Sequence, residues 1–397
     1  MKGWTRTTLG EACEIVSGAT PSTSVDDYWD GDVFWATPKD LSVLDGTRIA
    51  ITARRITEAG LASCSATVLP PGSVLFSSRA PIGHVAINTV PMATNQGFKS
   101  FIPKPDRLHA PFLYWWLRTN RPCLESLGNG ATFKEVSKAI VAGVEIPIPP
   151  LPEQRRIADT LDRADALRAR RRAALAQVDG LTQAIFLEMF GDQVSNRWPV
   201  GRIGDLVRGF ESGRSFEAAP DEASGGGFRV LKVSAVTEWV FRGEESKPVP
   251  REYAPPPSHV VRRSDLLFSR ANTSELIGAV AYVNEVREGL LLSDKLWRFL
   301  WHEPPVADPE FIRALFRTPG VRREIARRAT GTSGSMKNIS QEKVLGIPTV
   351  IPPLPLQRSF ASRAADVDKL KASHRTSLAQ IDALFASLQH RAFRGEL

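Results

Sequence analysis

The chain repeats itself at a fixed distance. Ile148-Pro149-Pro150-Leu151-Pro152-Glu153-Gln154-Arg155 returns 203 residues later as Ile351-Pro352-Pro353-Leu354-Pro355-Leu356-Gln357-Arg358. The same offset carries Gly128 onto Gly331, Lys134 onto Lys337 and Ser137 onto Ser340. A match that runs through a loop, an apolar stretch and a Pro-rich stop marks two copies of one structural plan. Upstream the offset drifts, as loops of unequal length require. Val74-Leu75-Phe76-Ser77-Ser78-Arg79-Ala80 resembles Leu266-Leu267-Phe268-Ser269-Arg270-Ala271, and each is followed by a glycine and an apolar stretch, Gly83–Ile87 and Gly278–Tyr282. Trp4 with Leu9-Gly10 has its counterpart in Trp198 with Ile203-Gly204.

The first three quarters of each copy read as irregular α+β. Short apolar strands such as Val74–Phe76, Val144–Ile148 and Phe228–Val233 lie between clusters of Gly, Pro and Ser, and short helical patches are expected at Phe112–Leu117 and Phe311–Phe316. The last quarter differs. No proline occurs between Pro152 and Pro199, or after Pro355, and proline suits the first turn of a helix. From there apolar residues recur at spacings of three and four: Ile157, Leu161, Ala164, Leu167, Leu175, Val178, Leu181 and Ile185, then Phe360, Ala364, Val367, Leu370, Leu378, Ile381, Leu384 and Leu388. That stripe predicts a helical seam. A helix over 153–190 would be roughly 55 Å long and cannot bury its stripe alone, so each long helix is expected to pair with the other. Antiparallel pairing is the easiest closure, since helix one leaves module one and arrives at module two. A lone amphipathic helix lying on its own module is the alternative.

Charge and cysteine usage narrow the function. Lys and Arg number 51 against 43 Asp and Glu, a net +8, which suits a polyanionic partner without requiring one. Cys13, Cys64 and Cys123 are widely spaced and odd in number, so thiols in a reducing compartment are expected, with neither disulfides nor a zinc site. The N-terminus has no apolar signal-peptide stretch and no uncharged apolar run reaches membrane-spanning length; a cytoplasmic protein is expected. An adenine methyltransferase would need an Asn/Asp-Pro-Pro-aromatic motif and an ATPase a Walker A loop, and the sequence holds neither. The six His residues include no HxH or HExxH pattern. No catalytic, cofactor-binding or metal-binding residue is expected.

Pro-Leu-Pro-Glu-Gln-Arg-Arg-Ile at 150–157, opening a long helix after an α+β module, resembles the specificity subunits of type I restriction-modification systems. The Gly-rich lead-in Gly128–Ser137 and its second form Gly331–Ser340 are similar to the same family. Leu356 departs from the pattern where the first copy has Glu153, which bears on how the second helix is capped. The resemblance implies an α+β fold with two homologous target-recognition domains, 1–152 and 192–355, separated by two long antiparallel coiled-coil helices, 153–191 and 356–394, in a pseudo-two-fold internal repeat. It implies a DNA-specificity subunit that reads a bipartite asymmetric sequence. Its partners would be double-stranded DNA, two adenine-N6 methyltransferase subunits and restriction subunits, with no membrane. S-adenosylmethionine and ATP would be bound by those partners and not by this chain. The competing readings are a self-sufficient bipartite nuclease and a coiled-coil adaptor that does not bind DNA.

Candidate DNA-contacting residues are Arg79, Asn95, Gln96, Lys99 and Lys134 in the first copy and Arg270, Lys295, Arg298 and Lys337 in the second. Arg and Lys suit phosphates or guanine, and Asn or Gln suits adenine. Arg79 pairs with Arg270 in the sequence match, while Asn95, Gln96 and Lys99 fall roughly on Asp294, Lys295 and Arg298. Residues common to both copies read equally as phosphate contacts or as internal salt bridges. Base readers belong where the copies diverge, as in 22–30, 39–48 and 208–216. The cluster Arg168, Arg170, Arg171 and Arg172 reads as a DNA contact, a solvated face or a partner surface. The helix-seam residues are Ile157, Leu161, Leu175, Val178, Ile185, Phe360, Val367, Leu378, Ile381 and Leu388.

Overall fold

A computed structural model describes residues 3–79, 81–130, 134–191, 198–216, 227–250, 252–331 and 336–397. Ala80, and parts of both Gly-rich loops at 131–133 and 332–335, lie outside the described residues, as does 192–197 after the first long helix. The chain divides into two compact units, Met1–Arg172 with Thr376–Leu397, and Ala173–Arg375.

In the first unit, strand Thr5–Thr8 runs antiparallel to Glu145–Ile148 and ties the beginning of the module to its end. Between them lie two sheets. One has the order Cys13–Ser17, Lys99–Pro103, Val74–Phe76, Val85–Asn88, Arg48–Ile49, and the other Arg54–Ile56, Trp29–Ala36, Ala93–Thr94. Val74, Leu75 and Phe76 are all fully buried, because side chains alternate across a sheet and here both faces are covered. Val74 and Phe76 join Phe101, Phe112 and Trp115 in one core; Leu75 joins Ala86, Met92 and Phe98 in another. Such a strand reads as a continuous apolar run and not as an alternating one. Helix Ala110–Thr119 buries Phe112 through Leu117.

The second unit follows the same plan in its main strands. Val200–Arg202 pairs antiparallel with Pro348–Val350. One sheet has the order Gly209–Ser212, Leu296–Leu300, Leu266–Ser269, Val280–Tyr282, and the other Ser246–Pro248, Arg229–Leu231, Leu290–Leu291. In both three-stranded sheets the middle strand has one antiparallel and one parallel neighbour. Leu266 and Phe268 face one core and Leu267 the other, as in the first unit. Among the described residues, the edge strand Arg48–Ile49 has a counterpart in no sheet of the second unit.

The first long helix spans Leu151–Asp179 and is followed after Gly180 by helix Leu181–Phe190; the last helix spans Leu354–Ala392. Within the first unit the two helices run antiparallel: Arg156 donates to the Leu397 carbonyl at 2.8 Å, and twelve residues on Arg168 donates to Asp382 at 2.6 Å. Within the second they do so again, with Lys371 Nζ 3.5 Å from Asp179 and Phe186 packed 5.3 Å from Phe360. The α+β fold with paired antiparallel helices is therefore the expected one.

Every residue assigned to the seam is buried or half-buried, with Ile157, Leu161 and Phe360 fully enclosed and Val367 buried. Four further leucines of the stripe are not: Leu167, Leu181, Leu370 and Leu384 are 56, 40, 43 and 58% exposed. The cause is the helical period. At 3.6 residues per turn the inward line drifts by one position relative to the strict stripe, so Arg168, Thr182 and Phe385 take the inner places.

Cys13 is enclosed in the first core, and burial pushes its thiol up to about 12, whereas Cys123 is exposed. A thiol needs its thiolate form to react. Alkylation of the native protein at pH 8 is therefore expected to modify Cys123 and spare Cys13, as read by peptide mass spectrometry. Labelling of Cys13 at a comparable rate without denaturant would contradict the burial described here.

Candidate nucleic-acid interface

In each module three separate segments meet at one tip. In the first, Ser78 N–H donates to the Gly97 carbonyl at 2.8 Å and Val136 N–H donates to the Ser78 carbonyl at 3.0 Å. In the second, Arg270 N–H donates to Lys295 at 3.0 Å and Ile339 N–H to Arg270 at 3.1 Å. A fourth segment closes the tip, with Ala19 N–H on the Thr94 carbonyl at 3.0 Å and Arg214 N–H on Leu292 at 3.3 Å. Gly18 and Gly213 open that fourth segment. A Cβ at either would overlap a backbone oxygen, of Asn95 or of Leu292, so only glycine allows the approach.

These bonds define which residues correspond, and they correct the sequence match by one position. Ser78, and not Arg79, occupies the place of Arg270. Arg79 bridges to Glu135 where Ala271 pairs with Asn338. Likewise Ser17 faces Lys99 where Ser212 faces Trp297, so Ser100 corresponds to Arg298. Side-chain likeness between neighbouring polar residues misled the match; the backbone ladder settles it.

The structure brings most of the candidate residues to these tips but leaves them unequally available. Gln96 is exposed and accepts a hydrogen bond from the Thr20 hydroxyl. Asn95 turns back on its own loop and accepts from Gly97 N–H at 2.9 Å. Lys134 is exposed. Arg79 and Lys99 both approach Glu135, at 3.9 and 3.3 Å, and Lys99 is buried. In the second module Lys295 is half-buried, and Lys337 donates to the Gly331 carbonyl at 2.6 Å. Arg270 is fixed on three sides: it donates to the Asp294 carbonyl at 2.7 Å, lies 3.7 Å from that residue's carboxylate, and sits 5.7 Å over the Trp297 ring.

Arg298 is not part of the tip. It is buried between Glu211 at 2.9 Å and Asp265 at 3.0 Å, and also donates to the Val260 carbonyl. Burial pushes the Asp265 carboxyl up, against the opposing pull of Arg262 N–H and Arg298. A buried guanidinium with its carboxylates in place holds strands together and is not presented to a phosphate. Lys99 serves the same internal purpose in the first module. Of the helix arginines, Arg168 is also internal: it donates to Asp382 and Asp165 and lies 4.2 Å over Phe385.

Thr20 and Ser215 were not picked out from the sequence, although the signal was present: Ser17-Gly18-Ala19-Thr20 and Ser212-Gly213-Arg214-Ser215 are a further repeat. Ser215 donates to the Asp294 carboxylate just as Thr20 donates to Gln96. Among the described residues no cluster of three or more His, Cys, Asp or Glu is placed to hold a metal ion, and no helix is long and apolar enough to cross a membrane.

The model of the type I restriction modification DNA specificity domain matches residues 1–177. The MjaIX type I restriction enzyme specificity subunit of Methanocaldococcus jannaschii is 34% identical over 231 residues, which is 53% of this chain and 53% of that protein. The EcoKI specificity subunit of Escherichia coli is 27% identical over 354 residues, 81% of this chain and 73% of that one. The chain is thus similar, over its first 177 residues and in these alignments, to the specificity subunits of type I restriction enzymes. The match to the archaeal subunit spans only about half of that relative's length. Solved structures agree on the fold. A chain from a study of complex assembly and conformational transition of the type I R-M system superposes with a TM-score of 0.62, at 18% identity, over 100% of this chain and 99% of that one. The HsdS subunit from Thermoanaerobacter tengcongensis gives 0.51 at 20% identity, over 100% and 98%.

The motif that carries the likeness has a physical use in this chain. Gln154 is fully buried, accepts from His109 N–H at 2.8 Å, and donates to the Arg107 and Pro149 carbonyls, both at 2.8 Å. Gln357 repeats the arrangement with Asp308 N–H at 2.9 Å and the carbonyls of Val306 at 3.2 Å and Pro352 at 2.8 Å. Each glutamine locks the start of a long helix to the loop before the module's helix. Glu153 adds a bidentate pair with Arg156, which holds its carboxyl below the usual range; Leu356 supplies no such pair.

Proposed function

We propose that this chain is the DNA sequence-specificity subunit of a type I restriction-modification complex. In this reading the modules at 1–152 and 192–355 each recognise one half of a bipartite asymmetric sequence, and the helices at 153–191 and 356–394 set the unread gap. Two adenine-N6 methyltransferase subunits dock on the chain, and restriction subunits join them. S-adenosylmethionine and ATP belong to those partners, so no bond-making step falls to this chain. It acts in the cytoplasm, where its DNA is. The supporting observation is the tip built twice on one backbone frame with different exposed side chains. A duplicated frame with divergent chemistry is what reading two different half-sites requires.

Mapping N6-methyladenine across the genome of cells that express this chain with its neighbouring methyltransferase subunit tests the reading. A split, asymmetric motif that vanishes when this chain is absent is the expected result. Unchanged methylation, with both proteins expressed and the methyltransferase active, would leave the adaptor reading in its place. Methylation or cleavage of DNA by the purified chain alone would instead favour a self-sufficient enzyme.

A further inference from the structure

Gln96 and Asp294 occupy the same place in the two modules. Each comes two residues after the carbonyl that receives Ala19 N–H or Arg214 N–H, and one before the carbonyl that receives Ser78 N–H or Arg270 N–H. Each is held by a hydroxyl two residues beyond an obligatory glycine, Thr20 after Gly18 and Ser215 after Gly213. Since frame and grip are the same, the fold does not require the two side chains to differ. They differ nonetheless, as an amide in one module and a carboxylate in the other. Gln96 is exposed and the Asp294 side chain is 41% exposed, so neither is spent on a core.

Building on the specificity reading above, we propose that Gln96 and Asp294 are base-reading residues, one for each half-site, with Gln96 suited to adenine and Asp294 to cytosine. A primary amide offers a donor and an acceptor side by side, which matches N7 and the amino group of adenine. A carboxylate only accepts; it matches the amino group of cytosine and repels the two acceptors that guanine presents. The Thr20 hydroxyl donates to Gln96 Oε1, which fixes the amide's orientation and leaves both Nε2 protons for a base. Ser215 does the same for one carboxylate oxygen of Asp294, while Arg270 lies beside the other. Around each tip stand basic side chains of the kind that position a duplex without reading it: Arg79 and Lys134 in the first module, Arg270, Lys295 and Lys337 in the second.

The test uses the full complex with its methyltransferase subunits and compares methylation motifs for the unaltered chain, Asp294→Asn and Gln96→Glu. Both substitutions keep size and shape, and an unchanged thermal midpoint confirms that both variants fold. Asp294→Asn is expected to lose cytosine preference at one position of one half-site, with discrimination there falling about tenfold or more, while the other half-site stays as it was. Gln96→Glu is expected to change one position of the other half-site only. Unchanged motifs in both variants would overturn the proposal. So would a uniform loss of methylation without a change of motif, which would assign Asp294 to holding Arg270 in place. If the unaltered chain produced no chain-dependent motif at all, the specificity reading itself would fall, a different failure that takes this inference with it.

Discussion

Replacing Phe186 with alanine is expected to destabilise the second unit by about 3–5 kcal/mol, the usual range for emptying a buried aromatic site. Phe186 is fully enclosed, with ring centroids 5.1 Å from Phe190, 5.3 Å from Phe311 and 5.3 Å from Phe360. It therefore joins helix Leu181–Phe190 both to the module's own helix Pro309–Leu315 and to the start of the last long helix. The surrounding rings are held by one another and by the sheet, so the site cannot collapse to fill the void. Phe186→Leu keeps most of the apolar volume and should cost much less. Leu181→Ala, on an exposed neighbour, should stay within about 0.5 kcal/mol. Denaturant unfolding of the full chain, with hydrogen exchange to locate the loss, checks all three. A Phe186→Ala variant with an unchanged midpoint, or one that loosens residues 3–172 equally, would contradict the packing described here.

The buried glutamines should respond to small chemical changes. Gln154→Leu strands the His109 N–H and the carbonyls of Arg107 and Pro149, all of which lose their partner at once. A buried polar group left unsatisfied costs about 1–3 kcal/mol, so a loss of about 3 kcal/mol or more is expected, and Gln357→Leu should behave alike in the second unit. Gln154→Glu is informative because it keeps the shape. A carboxylate still accepts from His109 N–H but can donate to neither carbonyl, and burying its charge adds a further penalty. The glutamate variant is therefore expected to be no better than the leucine one near neutral pH. It should recover in part as the pH falls and the carboxyl gains a proton to donate. Losses below about 1 kcal/mol for both leucine variants would mean that water satisfies the stranded groups.

Much of the architecture was legible in the chain. The 203-residue repeat implied two like modules, and the strands, core sheets and their pairing partners do recur from one unit to the other. The three-and-four spacing after each Pro-rich stop implied long helices needing a partner, and the antiparallel pairing within each unit supplies it. The candidate site was less legible. Arg79 and Arg270 look equivalent in sequence and are not, because equivalence is decided by which backbone groups bond across the ladder. Lys99 and Arg298 look like DNA ligands, but their carboxylates come from far along the chain, Glu135 for one and Glu211 with Asp265 for the other. Gln154 and Gln357 were visible in both copies of the motif, yet nothing local reveals that each is fully enclosed and makes three hydrogen bonds.

The sequence by itself determined the repeat and the helical period, since periodicity and duplication are properties of residue order. Only the tertiary structure decided which polar side chains are spent within the fold and which remain at the tips. Burial and ion pairing depend on neighbours that the register of the sheets brings together from distant parts of the chain.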